Sequence, residues 1–180
     1  MTTYAFKDID PNHTLMIEGT DVVTFSGGPA RLASVTYNPF TVEGATITVT
    51  FLDHSATFDF GLVNTAANLN LRFDDGSHLL IGNPREESFE GAAGDDALFG
   101  GDGADTLNGH DGANFLQGNQ GGDSLASGIG ADTILGGRGD DIINTSVGDD
   151  GLHEAGDFVN GNLGNDTVSG SFGADTLLGG

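Results

Sequence analysis

Apolar positions follow two different rules along this 180-residue chain. In residues 1–81 they alternate with polar ones in short runs: Ile47, Val49 and Phe51 share one face of TITVTF, and Val35 and Tyr37 share one face of SVTY. A period of two marks half-buried strands. Turn-forming residues separate the runs at Asp10-Pro11-Asn12, Ser26-Gly27-Gly28-Pro29, Asn38-Pro39 and Asp74-Asp75-Gly76. The pattern predicts about six or seven strands in a small antiparallel β-sandwich-like domain. A hairpin at Asp75-Gly76 leads from LRF into SHLLI, a strand placed to cap whatever follows.

From residue 82 onward the period changes to nine, as in GGDGADTLN at Gly100–Asn108 and GGRGDDIIN at Gly136–Asn144. Units open at Gly91, Gly100, Gly109, Gly118, Ser127 and Gly136, and again at Leu152, Gly161 and Gly170. The eighth position is always aliphatic: Leu98, Leu107, Leu116, Leu125, Ile134, Ile143, Val159, Val168 and Leu177. One inward side chain per three-residue strand explains that choice. Gly82–Glu90 forms a degenerate leading unit, and Thr145–Gly151 a shortened one that keeps Asp150. No helical period survives this spacing, so residues 82–180 read as a β-solenoid that follows the N-terminal domain.

Composition sharpens the contrast. Residues 82–180 hold 25 of the 31 glycines and 18 of the 27 acidic residues, against five Lys and Arg in the whole chain. A net charge of −22 makes nucleic acid a poor partner and calls for a counter-cation. There is no cysteine, which removes disulfides and thiolate metal sites. No apolar run approaches the roughly 18 residues of a membrane helix, so no membrane insertion is expected, and the first ten residues lack a signal-peptide pattern.

The acidic residues recur at the sixth position of each unit: Asp96, Asp105, Asn114 (an amide), Asp123, Asp132, Asp141, Asp157, Asp166 and Asp175, with Asp150 in the short unit and Glu87 in the leading one. Glycines before them permit tight turns whose carbonyl oxygens face a shared space. The carbonyls of Gly91, Gly100, Asp102, Gly109, Asp111, Gly118, Gly136, Gly161 and Gly170 are the candidate backbone ligands. Many hard oxygen donors on a flexible loop suit Ca2+ better than Mg2+ or a transition metal. If two units make one turn, the carboxylates form two columns. Asp96, Asn114, Asp132, Asp150 and Asp166 are expected on one edge, and Glu87, Asp105, Asp123, Asp141, Asp157 and Asp175 on the other. Columns spaced at about 4.8 Å repel without an ion, which predicts that metal binding drives folding.

Runs such as GAAGDDALFGGDGADTLNG resemble the glycine-rich nonapeptide of the repeats-in-toxin (RTX) family over residues 82–180. The resemblance implies a right-handed parallel β-roll, calcium ions between stacked loops, type I secretion and folding outside the cell. Asn114, Glu87, Ala155 at a fourth position and the short unit depart from the family pattern, and a C-terminal targeting segment is not visible.

Other chemistry is thin. Asp8-x-Asp10-x-Asn12 begins like an EF-hand loop, but His13 and Gly19 stand where glycine and glutamate are required. The histidines show no ligand spacing, and neither HExxH nor Gly-x-Ser-x-Gly occurs. The chain is therefore read as non-enzymatic: an extracellular structural protein in a cell-surface, adhesive, surface-layer or fibre-forming assembly. The alternative is a calcium-binding module of a larger secreted protease, lipase, epimerase or toxin. Phe99, Phe115 and Leu135 line one outer face on successive rungs, a stripe expected to pack against either the N-terminal domain or another subunit. The last residues, Gly179-Gly180, begin a further unit, which suggests head-to-tail pairing of copies. A cell-surface polysaccharide is a further candidate partner, on the slight ground of Tyr4 and Tyr37.

Overall fold

The computed structural model describes residues 3–5, 14–15, 22–25, 30, 33–41, 44–51, 54–59, 69–145 and 155–180; the Asp8 to Asn12 segment and Asp150 lie outside them. The N-terminal strands are β1 (Thr3–Ala5), β2 (Thr14–Leu15), β3 (Val22–Phe25), β4 (Ser34–Thr41), β5 (Gly44–Phe51), β6 (His54–Asp59), β7 (Leu69–Phe73) and β8 (His78–Ile81). The repeats supply β9 (Ser88–Glu90), β10 (Ala97–Asp102), β11 (Thr106–Asn108), β12 (Phe115–Gln120), β13 (Ser124–Ala126), β14 (Thr133–Arg138), β15 (Ile142–Asn144), β16 (Phe158–Leu163), β17 (Thr167–Ser169) and β18 (Thr176–Leu178).

These strands form three sheets. The repeats wind between two of them, a sheet ordered β1-β3-β7-β8-β10-β12-β14-β16-β18 and a sheet ordered β17-β15-β13-β11-β9. Every repeat strand pairs in parallel with the strand one full turn away, as Leu98 with Leu116 and Leu107 with Leu125. This is the expected parallel β-roll. The third sheet, β2-β6-β5-β4, is antiparallel across β4, β5 and β6, with β2 parallel to β6. Among the described residues, antiparallel pairing in the N-terminal part is otherwise confined to the β7–β8 hairpin, while β1, β3 and β7 join the long sheet in parallel. Three parallel strands stand where an antiparallel arrangement is expected, because they extend the sheet of the roll.

Strand alternation gives two cores on opposite faces of that long sheet. Leu80 and Leu98 point into the roll, where they meet Phe89, Leu107, Leu116, Leu125, Ile134, Ile143 and Val159, all buried. Their neighbours Leu79, Ile81, Ala97 and Phe99 point outward and meet Val49 and Phe51 of β5, with Leu71, Phe73 and Ala30. Phe115 packs on the same cluster, its ring 5.5 Å from that of Phe99. The apolar stripe is therefore covered at Phe99 by the chain's own N-terminal sheet, which leaves Phe99 only 7% exposed.

Two local expectations change. Asn38-Pro39 lies within β4 and not in a turn, at a register shift between Asn38 and Thr41. Pro39 falls in the unpaired stretch of that shift, on the edge strand of its sheet, where the missing proline N–H costs no ladder bond. Across the short unit at Thr145–Gly151 the ladder steps by 25 residues in place of the usual 18, Thr133 pairing with Phe158 and Ile142 with Thr167. Seven residues leave too little chain for a six-residue loop and its strand.

Candidate metal centre

Each loop ends on its sixth residue, just before a strand, so stacking of strands stacks these side chains. On one edge Asp96 N–H donates to Asn114 Oδ1 (2.9 Å), Asn114 N–H to Asp132 Oδ1 (2.7 Å), Asp132 N–H to Asp157 Oδ1 (2.9 Å) and Asp157 N–H to Asp175 Oδ1 (3.0 Å). His78 N–H opens this ladder by donating to Asp96 Oδ1. On the other edge Glu87 N–H donates to Asp105, Asp105 N–H to Asp123, and Asp123 N–H to Asp141, each at 2.8 Å, and Asp141 N–H to Asp166 at 3.0 Å. The structure thus exchanges part of the two expected columns. Asp157 and Asp175 belong with Asp96, and Asp166 with Asp105, because the 25-residue step shifts the alternation by one.

One oxygen of each carboxylate is used in this way; the second is what matters for a cation. Oδ2 of Asp105, Asp123, Asp141 and Asp166, and of Asp132 on the other edge, is buried with no hydrogen-bond partner. A buried, unpaired carboxylate oxygen is costly unless a positive charge compensates it. Burial pushes the Asp105 carboxyl up to about 7, against its backbone hydrogen bond and aided by the charges of Asp123 and Glu87. Burial likewise raises Asp132 and Asp141 to about 6, and lifts Glu87, Asp96, Asp123 and Asp157 above the usual carboxylate range.

The first position of each loop keeps the space beside these oxygens open. A Cβ on Gly100 would collide with Asp105 Oδ2 and lie 2.8 Å from the Gly118 carbonyl oxygen. Gly118, Gly136 and Gly161 repeat the arrangement against Asp123, Asp141 and Asp166, facing the carbonyls of Gly136, Gly161 and Gly179 in turn. Carboxylate and carbonyl oxygens therefore converge on one small space in every such rung. Among the described residues no three His, Cys, Asp or Glu side chains cluster, so a bound ion would rest on carboxylates with backbone carbonyls. That donor set fits Ca2+, whose charge would neutralise the orphaned oxygens.

The remaining candidates fall into place around these spaces. The Gly109 carbonyl faces Asp96 Oδ2 across Gly91, and the Gly100 carbonyl faces Glu87 Oε2 across Gly82. Gly170 opens the loop of Asp175, with its Cβ direction on Asp175 Oδ2. Of the third-position residues, the Asp111 carbonyl accepts Gly94 N–H (3.2 Å), and the exposed Asp102 side chain accepts from Gln120 (2.7 Å). The carbonyls of His110 and Gly112, at the second and fourth positions, also point at the sixth-position side chain of their loop. Their signal is the left-handed backbone there, with Gly103, Gly112, Gly121, Gly130 and Gly139 at the fourth position and His110, Asn119 and Asn162 at the second.

The RTX calcium-binding nonapeptide repeat (4 copies) matches residues 81–116, 117–152 and 154–180, just over half of the chain. No curated protein and no solved structure matches it. Ladder, open spaces and repeat agree, and the chain belongs to the RTX calcium-binding nonapeptide repeat family.

Proposed function

We propose that this chain acts as a calcium-dependent structural module outside the cell, without catalytic activity of its own, in a cell-surface, adhesive, surface-layer or fibre-forming assembly. The observation that carries it is the row of buried, unpartnered carboxylate oxygens at Asp105, Asp123, Asp141 and Asp166. Such a row disfavours the folded roll until cations arrive, so the module stiffens where calcium is plentiful. Sites of this kind in extracellular modules bind in the range of roughly 10⁻⁴ to 10⁻³ M, which suits an exterior and not a cytoplasm. Exposed Phe158 and Leu163 on β16, and the groove of Gln117, Asn119, Arg138 and Asn162 beside them, support contacts with a second protein or a polysaccharide.

Calcium titration followed by circular dichroism tests the central claim. A cooperative gain of β signal near millimolar calcium, reversed by chelator, is expected; a roll fully folded in excess chelator would refute it. The second reading, a module of a larger secreted enzyme or toxin, draws on the same exposed Phe158 and Leu163 as a seat for another domain. Its discriminating observation is a catalytic motif elsewhere in the full-length gene product.

A further inference from the structure

We infer that calcium loads the edge built from Asp105, Asp123, Asp141 and Asp166, and that the opposite edge is closed at Asn114, whose side-chain amide stands where an ion would sit. The inference rests on the calcium reading above and deepens it by assigning ions to one edge.

The orientation of the Asn114 amide follows from its neighbours. Oδ1 accepts Asp96 N–H at 2.9 Å, so Nδ2 faces the other way, toward the carbonyl oxygens of Gly112 (3.2 Å), Ser127 (3.3 Å) and His110 (3.4 Å). Turning the amide over would set Nδ2 against a backbone N–H, donor against donor. A ligand must offer a lone pair to a cation, and Nδ2 offers none. It instead donates to three oxygens from two rungs, the role an ion would have there. The Ser127 carbonyl also faces Gly109 as the Gly118 carbonyl faces Gly100, so the space is the same and only its filling differs.

Two of the neighbouring loops on this edge are supplied with donors in the same manner, whereas Asp132 Oδ2 lacks one. Asp96 Oδ2 accepts Ala92 N–H at 2.7 Å, and Ser171 Oγ lies 3.4 Å from Asp157 Oδ2 and 3.3 Å from Asp175 Oδ1. The loop of Asp132 opens on Ser127 and not on glycine, so a side chain starts where the other edge leaves room. On the Asp105 edge, by contrast, all four loops open on glycine and all four Oδ2 atoms lack a partner.

Counting ions bound to the full chain by equilibrium dialysis against calcium tests this. Asn114→Asp is expected to bind one more ion per chain than wild type, and Asn114→Ala the same number as wild type. An unchanged count in N114D, or one ion lost in N114A, overturns the inference. Should N114D fail to fold, Asp96→Asn carries the test: it is expected to keep the wild-type count, and a lost ion overturns the assignment. A wild-type chain that binds no calcium sinks the underlying reading instead, so the two failures are distinct.

Discussion

Asp105 donates its backbone N–H to Asp123 Oδ1 at 2.8 Å, while Asp123 Oδ2 lies buried without a partner. One carboxylate is thereby both a tie between rungs and an uncompensated charge. The tie favours the roll by about 0.5–1.5 kcal/mol as a net hydrogen bond, more with an ionised acceptor, whereas the unpaired buried oxygen costs about 1–3 kcal/mol or more. These opposing terms are of similar size, so the cation decides the balance.

Asp123→Asn separates the two roles. The amide keeps Oδ1 for the Asp105 N–H and turns Nδ2 toward the carbonyl-lined space, as Asn114 does. In chelator, D123N is expected to keep more β signal by circular dichroism than wild type, because it relieves a penalty of about 1–3 kcal/mol. In saturating calcium the order reverses, because an ion-binding carboxylate is lost. Circular dichroism in chelator and chemical denaturation in saturating calcium read the two orders, and the same order in both conditions would contradict it.

The raised carboxyls set a pH dependence with a definite sign. Asp105 titrates at about 7 and Asp132 and Asp141 at about 6 in the folded chain, against about 3.9 unfolded. The folded state therefore binds protons more tightly. Its stability contribution from these groups is fully present below about pH 3.9 and is lost as pH rises through 6 to 7. Calcium-free protein is expected to show more β signal at pH 5 than at pH 7.5. With limiting calcium the trend opposes this, since protons compete for the same oxygens. Circular dichroism in metal-free buffer across that window checks the sign.

Much of this was legible in the chain. The nine-residue period and its aliphatic eighth position announce the strands and their inward face, and Leu98, Leu107, Leu116 and Ile134 are indeed fully buried. The column of each carboxylate beyond Asp141 was not legible, because it depends on whether the unit at Thr145–Gly151 counts as a rung. The inequality of the edges is faintly written: GGDGAD, GNQGGD, GGRGDD and GNLGND open the loops of one edge, GAAGDD, GHDGAN and SGIGAD those of the other. What Asn114 does with its two polar atoms required the neighbouring rungs. Pro39 misled as a turn signal because edge-strand position, a property of the sheet, is invisible locally.

Two glycines of one loop are expected to fail in different ways. Gly118 has an ordinary backbone, but a Cβ there would collide with Asp123 Oδ2 and lie 2.6 Å from the Gly136 carbonyl oxygen. Gly118→Ala should therefore weaken calcium binding, on the order of tenfold, with a smaller effect on the chelated protein. Gly121 has φ +131° and its Cβ would overlap the Gly103 carbonyl oxygen. Gly121→Ala should destabilise the roll even in saturating calcium, by more than about 2 kcal/mol. Paired calcium titrations and melts distinguish the two; equal behaviour would mean that the loop does not divide space from conformation in this way.

Phe99 joins the roll to the sheet above it. Its backbone belongs to β10, paired with β8 and β12, while its ring is packed with Val49 and Phe51 of β5 and lies 5.5 Å from Phe115. Phe99→Ala leaves a cavity at that junction and should cost about 3–5 kcal/mol. The loss falls on the outer core, whereas Leu98 and Leu116 hold the inner one. Hydrogen exchange in saturating calcium is therefore expected to rise in β4 and β5 but not in β13 or β15, with the ion count unchanged. Equal deprotection of β13 and β15 would show that the two cores unfold as one unit, and that the N-terminal sheet supports the calcium-bearing rungs far beyond those it touches.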